Sequence, residues 1–117
     1  MDKIYSIETE DGVTSIHFFK KASIDDVNSA FNELMKSNPS RLRLCHLEEG
    51  WNLSPSQIQE FASYTKSKST TEIRLAVVTT EELSYGLTRM FQAYREGDNF
   101  SQQNFTTESE ATAWLKG

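Results

Sequence analysis

Apolar and polar residues alternate through residues 3–8 and again through 13–19, on either side of Glu10-Asp11-Gly12. Alternation puts successive side chains on opposite faces of a strand, so Ile4 and Ser6 share one face while Tyr5 and Ile7 share the other. In the second run Val13, Ser15, His17 and Phe19 oppose Thr14, Ile16 and Phe18. Asp-Gly between two β-rich runs is a strong turn signal, and the spacing predicts an antiparallel hairpin at the edge of a sheet.

The repeat then lengthens to the helical one. Ser23 caps the free N–H groups of a first turn, and Asp25 and Asp26 suit its positive end. Ile24, Val27, Phe31, Leu34 and Met35 form the stripe expected to be buried. Ser37-Asn38-Pro39 ends this helix, because the residue before a proline is pushed out of the α region. Residues 41–47 alternate again, with Leu42, Leu44 and His46 on one face and Arg43, Cys45 and Leu47 on the other. After a loop at 48–52, Ser54-Pro55-Ser56-Gln57 reads as a helix start, with a serine cap, proline at the first helical position and glutamine three residues after the cap. Ile58, Phe61, Ala62 and Thr65 face inward, and the polar run 66–71 is expected to be the least ordered part of the chain.

The other elements are organised around residues 72–96. Residues 73–78 form the most apolar, β-branched run, interrupted only by Arg74, which is how a strand covered on both faces of a parallel sheet reads. A helix follows almost at once, with Leu83, Leu87, Met90, Phe91 and Tyr94 on one stripe expected to face the core. Gly97-Asp98-Asn99 turns into a short strand at 100–105, and Thr107 with Glu110 caps a last helix whose Ala111, Trp114 and Leu115 face inward. The order β-β-α-β-α-β-α-β-α predicts an α/β fold: a single mixed β-sheet, an N-terminal antiparallel hairpin followed by parallel βαβ units, with about four helices.

Composition narrows the picture. At 117 residues the chain is read as one domain, 1–117. A net charge of −5, with Lys20-Lys21 as the longest basic run, argues against a nucleic-acid partner, since phosphate binding needs clustered Lys and Arg. The single Cys45 excludes an internal disulfide framework and a cysteine-based zinc site. Nothing approaches the roughly 20 apolar residues of a membrane span. The start MDKIYSIETE has no apolar run of signal-peptide length, so a cytoplasmic location is expected. No Gly-rich phosphate-cradling turn follows any strand, and no cofactor, metal or catalytic set is expected.

Three stretches carry a resemblance: LRLCHLEEGWNLSPSQIQEF (42–61), LAVVTTEELSYGLTRMFQAYRE (75–96) and NFTTESEATAWL (104–115). With them the chain resembles the STAS/SEC14-like, or SpoIIAA-like, family of small bacterial α/β proteins. In that family a hydrophobic strand precedes a Leu-x-x-Gly-x-x-Arg-Met-Phe helix, matched here by Leu83, Gly86, Arg89, Met90 and Phe91. The family's closing Ala-x-x-Trp-Leu is matched by Ala111, Trp114 and Leu115. Its third strand often ends in Trp-Asp-Leu, where this chain has Cys45-His46-Leu47. Sporulation-type members phosphorylate a serine just after that strand, where the loop 48–53 holds none before Ser54. The resemblance implies a non-enzymatic binding or regulatory module, or alternatively a carrier of a small apolar or acyl ligand.

Six residues are candidates for contact with a ligand or protein partner: Trp51, Leu53, Ser54, Tyr85, Gly86 and Arg89. Trp51 is a large aromatic in a loop beside a glycine, suited to anchoring a ligand or to closing the core. Tyr85 and Arg89 lie one turn apart, and Gly86 between them costs roughly 1 kcal/mol relative to Ala in a helix, which suggests close approach by a ligand or by the sheet. With Gln92 they form a strip beside the apolar stripe, suited to a homodimer contact. A carrier is expected to show an apolar pocket lined by Trp51, Leu53, Tyr85 and Phe91. Ser54 is read as a helix cap, Cys45 as a buried inert thiol, and His17 with His46 as a metal pair only if their strands are neighbours. Glu48, Glu49, Glu81 and Glu82 fall near the C-terminal ends of two strands, where open α/β sheets bind ligands, and are read as loop and helix-terminus residues rather than a catalytic pair.

Overall fold

The computed structural model describes residues 4–68, 71–97 and 99–117. The expected start of the first strand at residue 3, part of the run 66–71 and the central residue of the Gly97-Asp98-Asn99 turn lie outside them. Strands β1 (Tyr5–Glu10) and β2 (Val13–Phe18) pair antiparallel around Asp11 and Gly12. Both turn residues have positive φ, 53° and 78°, the two-residue hairpin turn whose twist matches the flanking strands. Then come α1 (Ile24–Lys36), β3 (Leu42–Leu47), α2 (Pro55–Lys68), β4 (Ile73–Val78), α3 (Glu82–Arg95), β5 (Phe100–Phe105) and α4 (Glu108–Lys116). Helix α2 runs on through Lys66, Ser67 and Lys68, which the polar sequence there did not suggest.

The sheet is mixed and five-stranded, in the order β1-β2-β3-β4-β5, with every pair after the hairpin parallel. Sequential order with right-handed crossovers places successive crossover helices on the same face. The core divides accordingly. On one face Phe18, Cys45, Leu47 and Val77 pack with Val27, Phe31, Ile58, Phe61 and Phe91 from α1, α2 and α3. On the other, Val13, Leu44, Ala76 and Val78 pack with Ala111 and Leu115 of α4. Ala76 and Ala111 pack in one cluster, and these small side chains let α4 lie close on β4, whereas the main close approach of α1 is to α2.

The caps are local and form as the sequence dictates. Ser23 Oγ accepts from the N–H of Asp26 while Asp26 accepts from the N–H of Ser23. Gln57 and Ser54 repeat this exchange at α2, and Glu110 N–H donates to Thr107 Oγ1 at α4. In α1 the buried residues are Val27, Ala30, Phe31 and Leu34, while Met35 is exposed.

Helix α3 departs from expectation. Its buried face is Ser84, Thr88, Phe91 and Arg95, whereas Leu83 is 65% and Tyr94 45% exposed. Leu87 and Met90 are only partly buried. The helix is turned so that short polar side chains, not leucines, meet the sheet. The Thr88 hydroxyl is satisfied within the helix, where its Oγ1 donates to the carbonyl of Tyr85, and Gln102 Nε2 on β5 donates to the Thr88 backbone carbonyl. Hydrogen-bonded small residues pack closer than a leucine stripe allows, and Phe91 is left as the apolar anchor.

The rotation makes a checkable contrast. Phe91→Ala is expected to cost about 3–5 kcal/mol, as removal of a buried phenylalanine does, and Leu83→Ala less than about 0.5 kcal/mol, as for an exposed position. Denaturant melts in which Leu83→Ala is the costlier change mean that α3 sits the other way round.

Candidate functional site

The helix-covered face is not filled. A partly open cavity of about 90 Å³ lies between the sheet and the helix layer. Its floor is sheet residues Ile16, Arg43, Cys45, Leu75 and Val77, and its roof includes Val27, Ala30, Phe31 and Leu34 of α1. Register accounts for the floor, since Ile16, Cys45 and Val77 form one row across β2, β3 and β4, and Thr14, Arg43, Leu75 and Gln102 form the next. Apolar residues in the middle of a covered sheet are normally buried, yet Ile16 and Leu75 stay half-exposed, as do Arg43 and Phe100. These residues mark the mouth, toward the N-terminal halves of β3, β4 and β5. This is the opposite end of the sheet from the 48–54 loop, where the sequence placed the ligand.

Two arginines stand among the apolar lining. Arg43 projects from β3 on the face it shares with Cys45 and Leu47, and its Nε donates to the Ser40 carbonyl at 3.0 Å. Arg95 closes α3, is only 5% exposed, and lays its guanidinium over the Phe100 ring at 4.3 Å. Burial, and after it the like charge of Arg95, lowers the pKa of Arg43, and burial lowers that of Arg95. Among the described residues no carboxylate pairs with either.

The far end of the cavity is closed by Trp51, and here one loop decides the geometry. Gly50 has φ of 86°, and a Cβ on it would stand 2.0 Å from Ser84 Oγ and 2.7 Å from Glu81 Oε2. That close approach lets the Trp51 N–H donate to Ser84 Oγ at 2.8 Å. Glu81 is the cap of α3, accepting from the Ser84 N–H, and hydrogen bonding to Ser84, through its side chain first and its backbone next, holds the Glu81 carboxyl below its usual range. The Trp51 indole then packs edge-on against Phe61 and Phe91. It is 5% exposed, and its buried Nε1 has no acceptor among the described residues.

Of the six candidates, Trp51 alone lines this cavity, with Phe91 beside it. Leu53 is in the core at 6% exposure, and Ser54 is the exposed cap of α2. Tyr85 is half-exposed, and Gly86 and Arg89 are exposed on α3. A Cβ at Gly86 would meet nothing within 4 Å, so this glycine does not serve a close approach to the sheet. The strip of Tyr85, Arg89 and Gln92 is divided, because Gln92 Nε2 turns to the Gln102 carbonyl of β5. The sequence did hold a signal for one missed residue, since Arg43 is a charged side chain on the strand face it shares with Cys45 and Leu47.

The four glutamates do not act together. Glu81 caps α3, Glu82 is exposed in its first turn, Glu49 is exposed in its loop, and Glu48 reaches the opposite sheet face. There His17 and His46 are register partners, as neighbouring strands require, with rings stacked at 4.5 Å and 12°. Glu48 lies 3.2 Å from His17 Nε2 and Glu108 3.2 Å from His46 Nδ1, contacts without the alignment of a hydrogen bond. The carboxylates approach separate nitrogens on separate rings, and among the described residues no three His, Cys, Asp or Glu side chains converge as a metal ion needs. No described helix is long and apolar enough to cross a membrane.

No family model, curated protein or solved structure matches the chain. The resemblance noted above therefore rests on its motifs alone.

Two predictions follow from this geometry. Burial pushes the Cys45 thiol up from its usual 9.0 to about 12, and the thiolate is the reactive form. Native protein at pH 8 should resist iodoacetamide while urea-unfolded protein reacts, and rapid native alkylation would place Cys45 on an open surface. Because the folded thiol holds its proton more tightly, its contribution to stability is whole below pH 9.0 and is lost as pH rises toward about 12. The glycines should behave oppositely. Gly50→Ala is expected to cost at least about 1–3 kcal/mol from its backbone conformation alone, and Gly86→Ala to stabilise by up to roughly 1 kcal/mol. Chemical denaturation of the two variants checks both signs.

Proposed function

We propose that this chain is a non-enzymatic binding module whose ligand is a small apolar or acyl molecule held between the sheet and helix α1. The observation that supports this most is the cavity of about 90 Å³, lined almost wholly by apolar side chains and open at the ends of the strands. Interiors are close-packed, and an unfilled apolar space costs the contacts its lining would otherwise make. A ligand body restores them.

The volume limits the ligand. A cavity of about 150 Å³ accepts a benzene ring, and drug-sized sites begin near 300 Å³. A slender alkyl chain suits the smaller space here better than a ring system. The polar marks lie at the two ends, Trp51 Nε1 without an acceptor and the two guanidiniums without a carboxylate among the described residues, with apolar wall between. That is the pattern of a site that orients a mostly apolar molecule with a few polar contacts. The resemblance to a family with regulatory and lipid-holding members supports the same reading.

Trp51 offers a direct readout. The chain has two tryptophans, and Trp114 lies on the other face beneath Arg74. In a Trp114→Phe background, Trp51 fluorescence is expected to change saturably with octanol or octanoate. Ala30, 1% exposed in the cavity roof, is the position to plug. Ala30→Phe should abolish the response while circular dichroism reports an intact fold. Equal binding in the two proteins, or no saturable binding in the unplugged one, defeats the proposal. Native mass spectrometry of protein from its own host should then find an apolar adduct of small mass.

A further inference from the structure

We infer that the ligand of this cavity carries an anionic oxygen head, a carboxylate or a phosphate monoester, and that Arg43 and Arg95 hold it at the mouth. This rests on reading the cavity as a ligand site. It adds the chemical class of the ligand and the direction in which it lies.

Arg43 uses Nε on the Ser40 carbonyl, and its terminal nitrogens have no hydrogen-bond partner among the described residues. Arg95 is almost fully buried with the Phe100 ring stacked against its guanidinium. A guanidinium does not shed its proton in a protein, so both remain cationic and the repulsion between them persists in the folded chain. A purely structural arginine pair is normally bridged by a carboxylate, because an unpaired buried charge is strongly unfavourable. This chain has 17 acidic side chains against 12 basic ones and still places none of the described ones there. The surplus acid makes the gap informative.

The geometry also sets the orientation. Arg43 lies one pleat from Cys45 on the same face of β3, and Leu75 is its register partner on β4. Phe100, stacked on Arg95, is half-exposed at the mouth. A head on the arginines therefore continues into a tail that runs inward over Leu75, Cys45 and Val77 toward Trp51. Carboxylate and phosphate oxygens both accept paired charge-assisted hydrogen bonds from guanidinium, and an anion between two arginines converts their repulsion into attraction. A neutral alcohol of the same length fills the cavity equally well and gains none of this.

Isothermal titration with octanoate, octyl phosphate, octanol and inorganic phosphate tests the idea. At least one of the two anionic chains should bind about tenfold or more tighter than octanol, the ratio expected for hydrogen bonds to a charged group. The tighter of the two identifies the head, and inorganic phosphate alone should bind far more weakly than octyl phosphate. Added salt should weaken the anion and leave octanol unchanged. Arg43→Gln should bring the anion down to the octanol level without affecting octanol, and Arg43→Lys should keep part of the preference. Arg95→Gln should act alike where its thermal melt shows a folded protein; Arg43, half-exposed, carries the test where it does not. Equal binding of octanol and both anions, or equal loss of all three in Arg43→Gln, overturns the inference and leaves the cavity reading standing. No binding by any chain overturns both.

Discussion

The seating of the Gly50-Trp51 backbone on the first turn of α3 is the contact on which the rest depends. Gly50 can approach Ser84 only because it has no side chain and adopts a left-handed φ. That approach brings Trp51 N–H to Ser84 Oγ, and Glu81 locks the same serine from its backbone side. With Ser84 pinned inward, helical geometry carries Thr88, Phe91 and Arg95 to the same face. The loop after β3 thus sets the rotation of a helix far along the chain. It delivers Phe91 to the aromatic cluster and Arg95 to the cavity mouth, and it turns Leu83 and Tyr94 outward.

The two faces of the sheet are packed differently, and the difference produces the cavity. On the α4 face, alanines at positions 76 and 111 let helix and strand meet closely, and Trp114 spreads over Phe105 and Arg74. On the other face, three crossover helices must tile a twisted sheet, and larger aromatics fill the joint between α2 and α3. Phe31 connects α1 to this cluster through Phe61 and Tyr64. Beneath α1 the lining includes the short side chains of Ala30 and Cys45, which leave part of the gap open. A cluster held at one end and small residues in the middle leave an apolar space with a charged rim, which is the arrangement the proposed ligand fits.

The fold class and the order of elements were legible in the sequence because each rests on neighbours in the chain. Alternation, the Asp-Gly turn, and the capping exchanges at Ser23, Ser54 and Thr107 involve residues within three or four positions of one another. The parallel sheet followed from helices standing between strands, and its α1 and α4 stripes packed largely as the pattern indicated. Helix α3 is where pattern reading failed. Its hydrophobic stripe was real, but a stripe records only which residues prefer to be dry. Ser84 was drawn inward by the Trp51 N–H on another element, and Gln102 of β5 holds the Thr88 backbone carbonyl; neither contact carries a periodic signature.

What the sequence determined by itself was the set of elements and their order, since backbone preference and periodicity act locally. It also placed Arg43 on the same face of β3 as Cys45 and Leu47, although only the fold shows that this face meets α1, α2 and α3. What the tertiary structure alone decided was the gathering of Arg43 and Arg95, 52 positions apart by number, into one cavity lining with no carboxylate paired to either among the described residues. It likewise decided that the space under α1 stays open. Both depend on how far a helix stands from a sheet and how it is turned, and these are set by contacts between residues distant in sequence.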